Sequence, residues 1–394
     1  MREIPLFPFV LSDVDEDDPV AMKLRDTAPV VRARTADGTE VWVALTYETA
    51  RQAVSDPRLS RSAAFDPGAP RITPAQSTPD MLTSMDGDQH ARVRRQLAKA
   101  FTTRLMEGIR PRIEEVVDGL LDEITPPADL LVQLAIPLPM KVICDLFGVP
   151  GHDRERFRTW AERIQATTSF TVAEILESVA ALEQYGDELI ALKREQPADD
   201  LVTELVRISD NGGELTESQI VQNLLLILVA AHDATLKQLS ISLIGLLTRP
   251  DQYAWLCAHP EAVPNAVEEL MRFLLLSPTG LPIRIATEDV DLGGELVREG
   301  EGVVPMHHVA NRDPAVFECP NKLDLTRRNA VKHMSFGGGP HYCMGAGLAR
   351  TIMQVVFGAL TRRFPTLQLA VPPEDLTWQE NGLMRAPKAI PVEW

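Results

Sequence analysis

The chain has 394 residues and a formal net charge of −17, with 45% hydrophobic, 24% charged and 5% aromatic residues. These proportions are those of an ordinary soluble globular protein, and they exclude a disordered acidic tail, a collagen-like rod and a small disulfide-framed domain. Nucleic acid requires a clustered basic surface, so we expect no nucleic-acid partner for so acidic a chain.

The N-terminal region predicts a small sheet. Residues 1–20 are expected to be extended, and they lack the basic stretch followed by an apolar run that marks a signal peptide. Two β-like runs, residues 30–34 and 40–45, flank a turn at Gly38. The proline-rich residues 66–80 are predicted to form either a solvated loop or a lid over a site.

Helical periodicity dominates residues 88–275, and one helix in this stretch is unusually long. Thr216 and Gln219 form a capping box, and no proline occurs before Pro250, which allows about 33 helical residues, roughly 50 Å. Its middle, residues 224–231, is apolar on all sides and so is expected to be buried. This run is far shorter than a membrane span, so we expect no membrane association. The polar residues after it, from His232 onwards, need partners and form either a core network or a site.

The most specific pattern is the segment FGGGPHYCMGAGLAR at residues 336–350. Three consecutive glycines permit positive φ and a close backbone approach. Cys343 stands at the start of a predicted helix that runs to about Arg363. Because N–H groups at a helix N-terminus stabilise a thiolate and tune a metal bound to it, the segment is suited to present a thiolate ligand.

The residues alone leave three other interpretations of this segment. Gly345, Gly347 and Arg350 form a weak dinucleotide fingerprint without the required strand–turn–helix unit. His333, His341 and Cys343 could ligate zinc, although no fourth ligand has a familiar spacing. Cys343 could also be an inert buried cysteine. The cysteines form no C-x-x-C pair, which favours reduced thiols in a cytoplasmic protein.

The pattern F-G-x-G-x-H-x-C-x-G resembles the haem-binding loop of cytochrome P450 enzymes, and three further motifs occur in that family's order. The residues that match the loop are Phe336, Gly337, Gly339, His341, Cys343 and Gly345. The resemblance covers almost the whole chain. It implies a mostly α-helical fold with a minor β region, a single domain over residues 1–394, and a buried haem b whose iron is bound by the Cys343 thiolate.

The second motif is an E-x-x-R pattern at Glu269 and Arg272, whose side chains share one face of a helix. In the family this is a buried structural ion pair, and its third member is normally an arginine. Lys322 occupies the usual position here and Arg327 is the other candidate, so the sequence leaves this partner open.

The third motif, His90-x-x-x-Arg94, places two side chains on one side of a predicted helix. The resemblance implies that both bind haem propionates, and that Arg284 and His341 do so as well. A guanidinium matches a carboxylate in a two-pronged hydrogen bond, which fits this role.

The fourth motif lies in the long helix, where the family has Ala/Gly-Gly-x-Asp/Glu-Thr-Thr and this chain has AAHDAT from Ala230 to Thr235. Asp233 matches the acid, but Ala234 replaces the first threonine and Ala231 replaces the glycine. Three explanations stay open. Thr235 or a water replaces the missing hydroxyl, the substrate completes the proton relay, or the enzyme couples substrate radicals without inserting oxygen.

The resemblance implies an oxidoreductase that activates O₂ with electrons from a separate ferredoxin and reductase, and tailoring of a secondary metabolite is the expected role. The alternatives are oxidative C–C or C–N coupling or cyclisation, and, in another class, a non-catalytic haem sensor. Arg92, Arg95 and Lys99 predict a basic docking face for the ferredoxin, and a monomer is expected. The expected substrate contacts are Phe65, Ala230, Pro282, Ile283, Leu383 and Met384.

Overall fold

The structure is a computed structural model that describes residues 4–9, 19–35, 38–70, 79–101, 103–165, 171–379 and 384–394. Helices dominate it, as predicted. They are α1 Pro19–Arg25, α2 Tyr47–Ser55, α3 Gly87–Ala100, α4 Thr103–Asp122, α5 Pro137–Phe147, α6 Arg154–Gln165, α7 Val172–Glu195, α8 Leu201–Asp210, α9 Glu217–Leu247, α10 Pro250–Ala258, α11 Val263–Phe273, α12 His307–Ala310 and α13 Ala346–Arg363.

The long predicted helix is α9. Its N-terminus is closed by the predicted capping box, in which the Gln219 N–H donates to the Thr216 hydroxyl at 3.1 Å and the Thr216 N–H donates to Gln219 Oε1 at 3.2 Å. The helix is 31 residues long and packs against α5, α7 and α11. By length and composition it is the one helix in the described ranges that could cross a membrane. Its place in the core of the fold accounts for the same composition.

The minor β region consists of short strands. They are β1 Leu6–Phe7, β2 Val30–Thr35, β3 Glu40–Ala44, β4 Leu59–Ser60, β5 Ala128–Asp129, β6 Arg284–Ala286, β7 Val290–Leu292, β8 Glu295–Val297, β9 Gly302–Pro305, β10 Gln368–Leu369 and β11 Pro391–Glu393. The main sheet has the order β1-β2-β3-β9-β6-β4, with β2 and β3 antiparallel and β3 and β9 parallel. The two predicted strands are therefore confirmed as β2 and β3.

The main sheet positions one side of the site. β6 begins at Arg284 and pairs with β9 and β4, so it holds that arginine, which is largely buried, at a fixed place. Of the segment predicted to be extended, β1 pairs with β2, whereas Pro19 already belongs to α1. Most of the predicted loop or lid, residues 71–78, lies outside the described residues.

The larger hydrophobic core lies among α3, α4, α5, α9, α11 and α13. Ile113, Leu243, Leu270 and Val356 are among its fully enclosed side chains. A separate, smaller core lies against the main sheet around Val43. Within the larger core the middle of α9 faces the N-terminal end of α13, and the gap between them holds the candidate site.

Candidate active site

A cavity of about 410 Å³ separates the middle of α9 from the loop that carries Cys343. On one side, which we call the α9 wall, it is bordered by Ala230, Ala231, Ala234 and Thr235. On the other side, which we call the thiolate wall, it is bordered by residues 335–338 and 341–345 and the start of α13. Small and apolar side chains cover most of both walls, so the cavity suits a flat apolar group.

Two glycines shape the thiolate wall. Gly337 and Gly339 have φ values of 73° and 61°, in the left-handed region that favours glycine. A Cβ atom on Gly339 would also collide with the carbonyl oxygen of Val54 in α2. The Cys343 N–H then donates to the Phe336 carbonyl at 3.0 Å. The loop is therefore held tightly, with Cys343 at the cavity surface.

Cys343 is an exposed residue, and it borders the cavity. Burial raises the pKa of this thiol, whereas the N–H groups of Gly345 and Ala346 and the guanidinium groups of Arg94 and Arg350 act to lower it. N–H groups and positive charges beside a sulfur favour its thiolate form. Burial outweighs these contacts, so a thiolate at Cys343 requires a cationic partner, such as a metal ion, on its open side.

One end of the cavity is lined by buried cationic and imidazole groups. The rings of His90 and His341 lie 4.1 Å apart, and only His341 borders the cavity directly. Burial lowers the pKa of His90 to about 4 and that of Arg284 to about 10. His90 Nε2 and Arg284 Nε are buried and have no hydrogen-bond partner among the described residues. Such orphaned polar atoms indicate a place where a ligand's acceptors bind.

Asp86 organises this polar end. Its Oδ2 accepts hydrogen bonds from the backbone N–H groups of Arg61 and Ser62 and from the Ser60 hydroxyl, each at 2.7 Å. His341 Nε2 bonds to its Oδ1 at 3.0 Å. Burial alone would raise the pKa of Asp86, but the hydrogen bonds from His341, Ser62 and Ser60 outweigh it and hold this pKa well below its usual range. Asp86 therefore stays a carboxylate and fixes His341.

The E-x-x-R pair forms a fully buried cluster behind the thiolate wall. Arg272 donates to both carboxylate oxygens of Glu269, at 2.7 and 2.8 Å. Arg327 donates to the same carboxylate at 3.0 Å. Lys322 contributes its carbonyl oxygen to both arginines. Arg327 is thus the third partner that the sequence left open.

A second ionic network, which no sequence motif predicted, supports the thiolate wall. Glu268 accepts from Arg350 at 2.6 and 3.0 Å and bonds to His333 Nε2 at 3.1 Å. The Arg350 guanidinium lies 4.5 Å from the centre of the Phe336 ring. Glu268 and Arg350 are 82 residues apart, so no local spacing could have signalled the pair.

The α9 wall is less polar than the sequence suggested. Asp233 is not among the described residues that border the cavity, and its carboxylate accepts a hydrogen bond from Lys237 Nζ at 2.9 Å. Ala234 and Thr235 do border it, so Thr235 brings a hydroxyl to this wall. Gln238, one turn further on, borders the cavity and donates to the Ser242 hydroxyl at 3.1 Å.

The remaining predicted residues divide into two groups. Arg94, Phe336, Gly337, Gly345, Ala230 and Pro282 border the cavity. Phe65, Ile283 and Met384 do not border it within the described residues, and Leu383 lies outside them.

The basic residues of α3 split between two sides of that helix. Arg94 donates to the Tyr342 carbonyl at 2.6 Å, beside the thiolate wall. Arg92, Arg95 and Lys99 are exposed, and Arg92 lies 3.6 Å from Glu214. Arg92 and Arg94 are separated by about 200° around the helix, so the predicted basic group does not share the side that carries Arg94.

Sequence reasoning missed several polar and aromatic residues that border the cavity, namely Arg61, Phe101, Asn223 and Gln238. Each is a single residue without a motif of its own. Asn223 lies seven residues before Ala230, and Gln238 lies three residues after Thr235. This spacing, which places each pair on the same side of α9, was the one available signal for them.

Comparison with known proteins places this architecture in one family. The family model described as Cytochrome P450 matches residues 259–394. Nocardicin C N-oxygenase of Nocardia uniformis subsp. tsuyamanensis is 43% identical over 388 residues, which cover 96% of this chain and 97% of that protein. Mycinamicin IV hydroxylase/epoxidase of Micromonospora griseorubida is 38% identical, with 94% of each chain covered.

Solved structures agree with the sequence relatives. The LnmA cytochrome P450 hydroxylase from the leinamycin biosynthetic pathway of Streptomyces atroolivaceus S-140 superposes with a TM-score of 0.91 at 41% identity, covering 99% of this chain and all of that one. The chain belongs to the cytochrome P450 family, and it is a haem-thiolate monooxygenase.

The cavity fits the family's cofactor. Haem b is a flat apolar macrocycle with two carboxylates at one edge, and its iron takes an axial cysteine thiolate in this family. The cavity offers apolar walls, the Cys343 sulfur on one of them, and at one end the unpartnered Nε of Arg284, with the unpartnered Nε2 of His90 close by, next to His341.

Proposed function

We propose that Cys343 would bind the haem iron and that His90, Arg94, Arg284 and His341 would hold the haem propionates. The observation that carries this proposal is the arrangement of one open thiol opposite an apolar helix wall, with orphaned donors at a single end of the cavity. Phe336, Gly337 and Gly345 shape the loop around the sulfur. Glu269 and Arg272 act structurally, behind the loop.

When bound, haem supplies an iron centre that activates O₂, with electron donation from the thiolate. The protein supplies a fixed sulfur, a dry apolar wall and a route for protons. Ala230, Ala231 and Ala234 leave room against α9 for a small organic substrate. Ala230 and Pro282 are the predicted substrate contacts that this geometry supports.

Proton supply from α9 depends on three residues. Ala234 has no hydroxyl, and Asp233 is engaged by Lys237 away from the cavity. Thr235 is the residue of this motif that brings a hydroxyl to the α9 wall. We infer that Thr235, together with a water or a polar group of the substrate, completes the relay that Asp233 feeds when its bond to Lys237 opens.

The named relatives guide the choice of reaction. An N-oxygenase and a hydroxylase/epoxidase are among the most similar proteins, so oxidation of a secondary metabolite with oxygen insertion is the function that we propose. Oxidative coupling or cyclisation is the second candidate, because Ala234 removes the hydroxyl that usually serves oxygen activation in this family. These relatives are enzymes, which argues against the haem-sensor alternative.

We further propose one domain and a monomer in the cytoplasm, with electrons from a separate ferredoxin-type protein. The exposed Arg92, Arg95 and Lys99 form the docking face of this proposal, although Glu214 offsets part of the charge of Arg92. Charge-guided docking weakens as ionic strength rises. Electron transfer from a ferredoxin should therefore slow between low and high salt, and should slow further in Lys99→Gln. Rates that do not depend on salt would contradict this docking face.

The decisive test of the site is the absorption spectrum of the reduced protein with CO. We expect a strongly red-shifted Soret band for the wild type and its loss in Cys343→Ala. Cys144→Ala is the matched control, because Cys144 is buried in the core and does not itself border the cavity. A red-shifted band that persists in Cys343→Ala would contradict the ligand assignment.

A further inference from the structure

Arg61 is a buried cation at the polar end of the cavity that no motif identified. Its side chain borders the cavity, and only 8% of the residue is exposed. One guanidinium nitrogen donates to the Ile283 carbonyl at 2.7 Å, and its backbone N–H donates to Asp86. Both ends of the residue are therefore anchored.

Arg61 lies close to a second buried arginine. Arg284 follows Ile283 in the chain, and each guanidinium is near enough to Asp86 to interact with its charge. Burial lowers the pKa of each arginine to about 10, and Arg61 further lowers that of Arg284, yet both remain charged at neutral pH. Two neighbouring buried cations are unfavourable unless anions accompany them.

The charged side chains at this end do not balance one another. Arg61, Arg94 and Arg284 are cationic, and Asp86 is the one carboxylate that the described residues place among them. These four side chains carry two more positive than negative charges, and haem b carries two propionates. A thiolate and a ferric porphyrin core cancel each other and leave this balance unchanged.

We propose that Arg61 is a further propionate anchor, which acts beside His90, Arg94, Arg284 and His341. The charge balance favours this role over recognition of an anionic substrate, because a third anion would leave one buried negative charge without a partner. The Ile283 carbonyl holds the Arg61 side chain in place. This inference rests on the haem site proposed above.

The test is the rate at which ferric holoprotein loses haem to an excess of apomyoglobin. Removing one charge-assisted hydrogen bond should accelerate this loss about tenfold or more in Arg61→Met. Arg61→Lys, which keeps the charge and so protects the fold, should show a smaller acceleration. Arg58→Met is the matched control, because Arg58 lies three residues earlier, has 41% of its side chain exposed, and pairs with Asp56 at 2.7 Å without bordering the cavity. Its rate should equal that of the wild type.

Reconstitution with haem dimethyl ester identifies the group on which Arg61 acts. Esterified propionates carry no charge, so the Arg61 variants and the wild type should then lose the cofactor at similar rates. Wild-type rates with native haem in both Arg61 variants would overturn the inference. If both Arg61 variants lose native haem at the wild-type rate but no longer bind carboxylate ligands, Arg61 recognises the substrate instead. A wild-type protein that binds no haem would refute the proposed function itself, which is a separate outcome.

Discussion

The thiolate wall and the α9 wall face each other across one cavity, but their side chains are held to different degrees. Behind the thiolate wall, Glu269 is fully buried and bonded to two arginines, and Glu268 binds Arg350 and His333. The α9 wall presents alanines, and its charged pair, Asp233 and Lys237, lies on another side of the helix with 28% of the aspartate side chain exposed.

This difference follows from what each wall has to do. A metal ligand must keep its position to within a fraction of an ångström, which requires a shell of packed and hydrogen-bonded neighbours. A wall that accepts substrates needs space instead of rigid polar contacts. The relatives named above act on chemically different molecules within one fold, which is consistent with a fixed thiolate wall and an adaptable α9 wall.

The largest effect is expected where the thiolate wall is most deeply supported. Glu269→Gln leaves Arg272 and Arg327 as buried charges without a counter-ion, which typically costs about 3–5 kcal/mol. Glu114→Gln is the control, because Glu114 pairs with Arg110 at 3.5 Å on the surface and such pairs contribute less than about 1 kcal/mol. Urea unfolding of the holoproteins measures both. If the two variants lose equal amounts of unfolding free energy, the buried cluster does not support this wall.

A smaller effect is expected for the loop itself. Gly339→Ala forces a side chain into a positive-φ position and against the Val54 carbonyl, so we expect a loss of about 1–3 kcal/mol and a lower haem content. Gly347→Ala in α13 meets no atom within 4 Å and should be neutral or stabilise by up to about 1 kcal/mol. If both variants behave alike, then the loop geometry is not what holds Cys343.

The Glu268 network predicts that the free energy of unfolding decreases at acidic pH. Burial would raise the pKa of Glu268, but hydrogen bonds from His333 and Arg350 outweigh it and lower this pKa from 4.5 to about 2. The folded state therefore gains stability from this carboxylate above pH 4.5 and loses it as the pH falls towards 2. In Glu268→Gln the free energy of unfolding should be lower at pH 7 and should fall less between pH 4.5 and 2. Parallel pH curves for the two proteins would contradict this assignment.

The features that the sequence predicted are those encoded locally. The capping box of α9 lies within four residues, β2 and β3 are short runs rich in β-branched residues, and the cysteine loop carries its glycines beside the cysteine. The contacts that it missed or left open join distant segments. Arg61 meets Ile283 across 222 residues, and Arg327 completes the Glu269 cluster across 58. The pairing of Asp233 with Lys237 is local, but it was not predicted, because the family motif includes the acid and does not extend to the lysine one turn later.

The smallest effect on stability, and the most informative for mechanism, is expected on the α9 wall. Ala234→Thr adds a hydroxyl at the cavity surface and should cost less than about 1 kcal/mol, because only helix propensity changes. If the substrate completes the proton relay, this hydroxyl should compete with it, so that more NADH is consumed per product or the product mixture changes. Ala230→Thr introduces the same group one turn earlier and controls for crowding. Unchanged coupling in Ala234→Thr would remove the support for a substrate-assisted relay, and Thr235 with a water would then be sufficient.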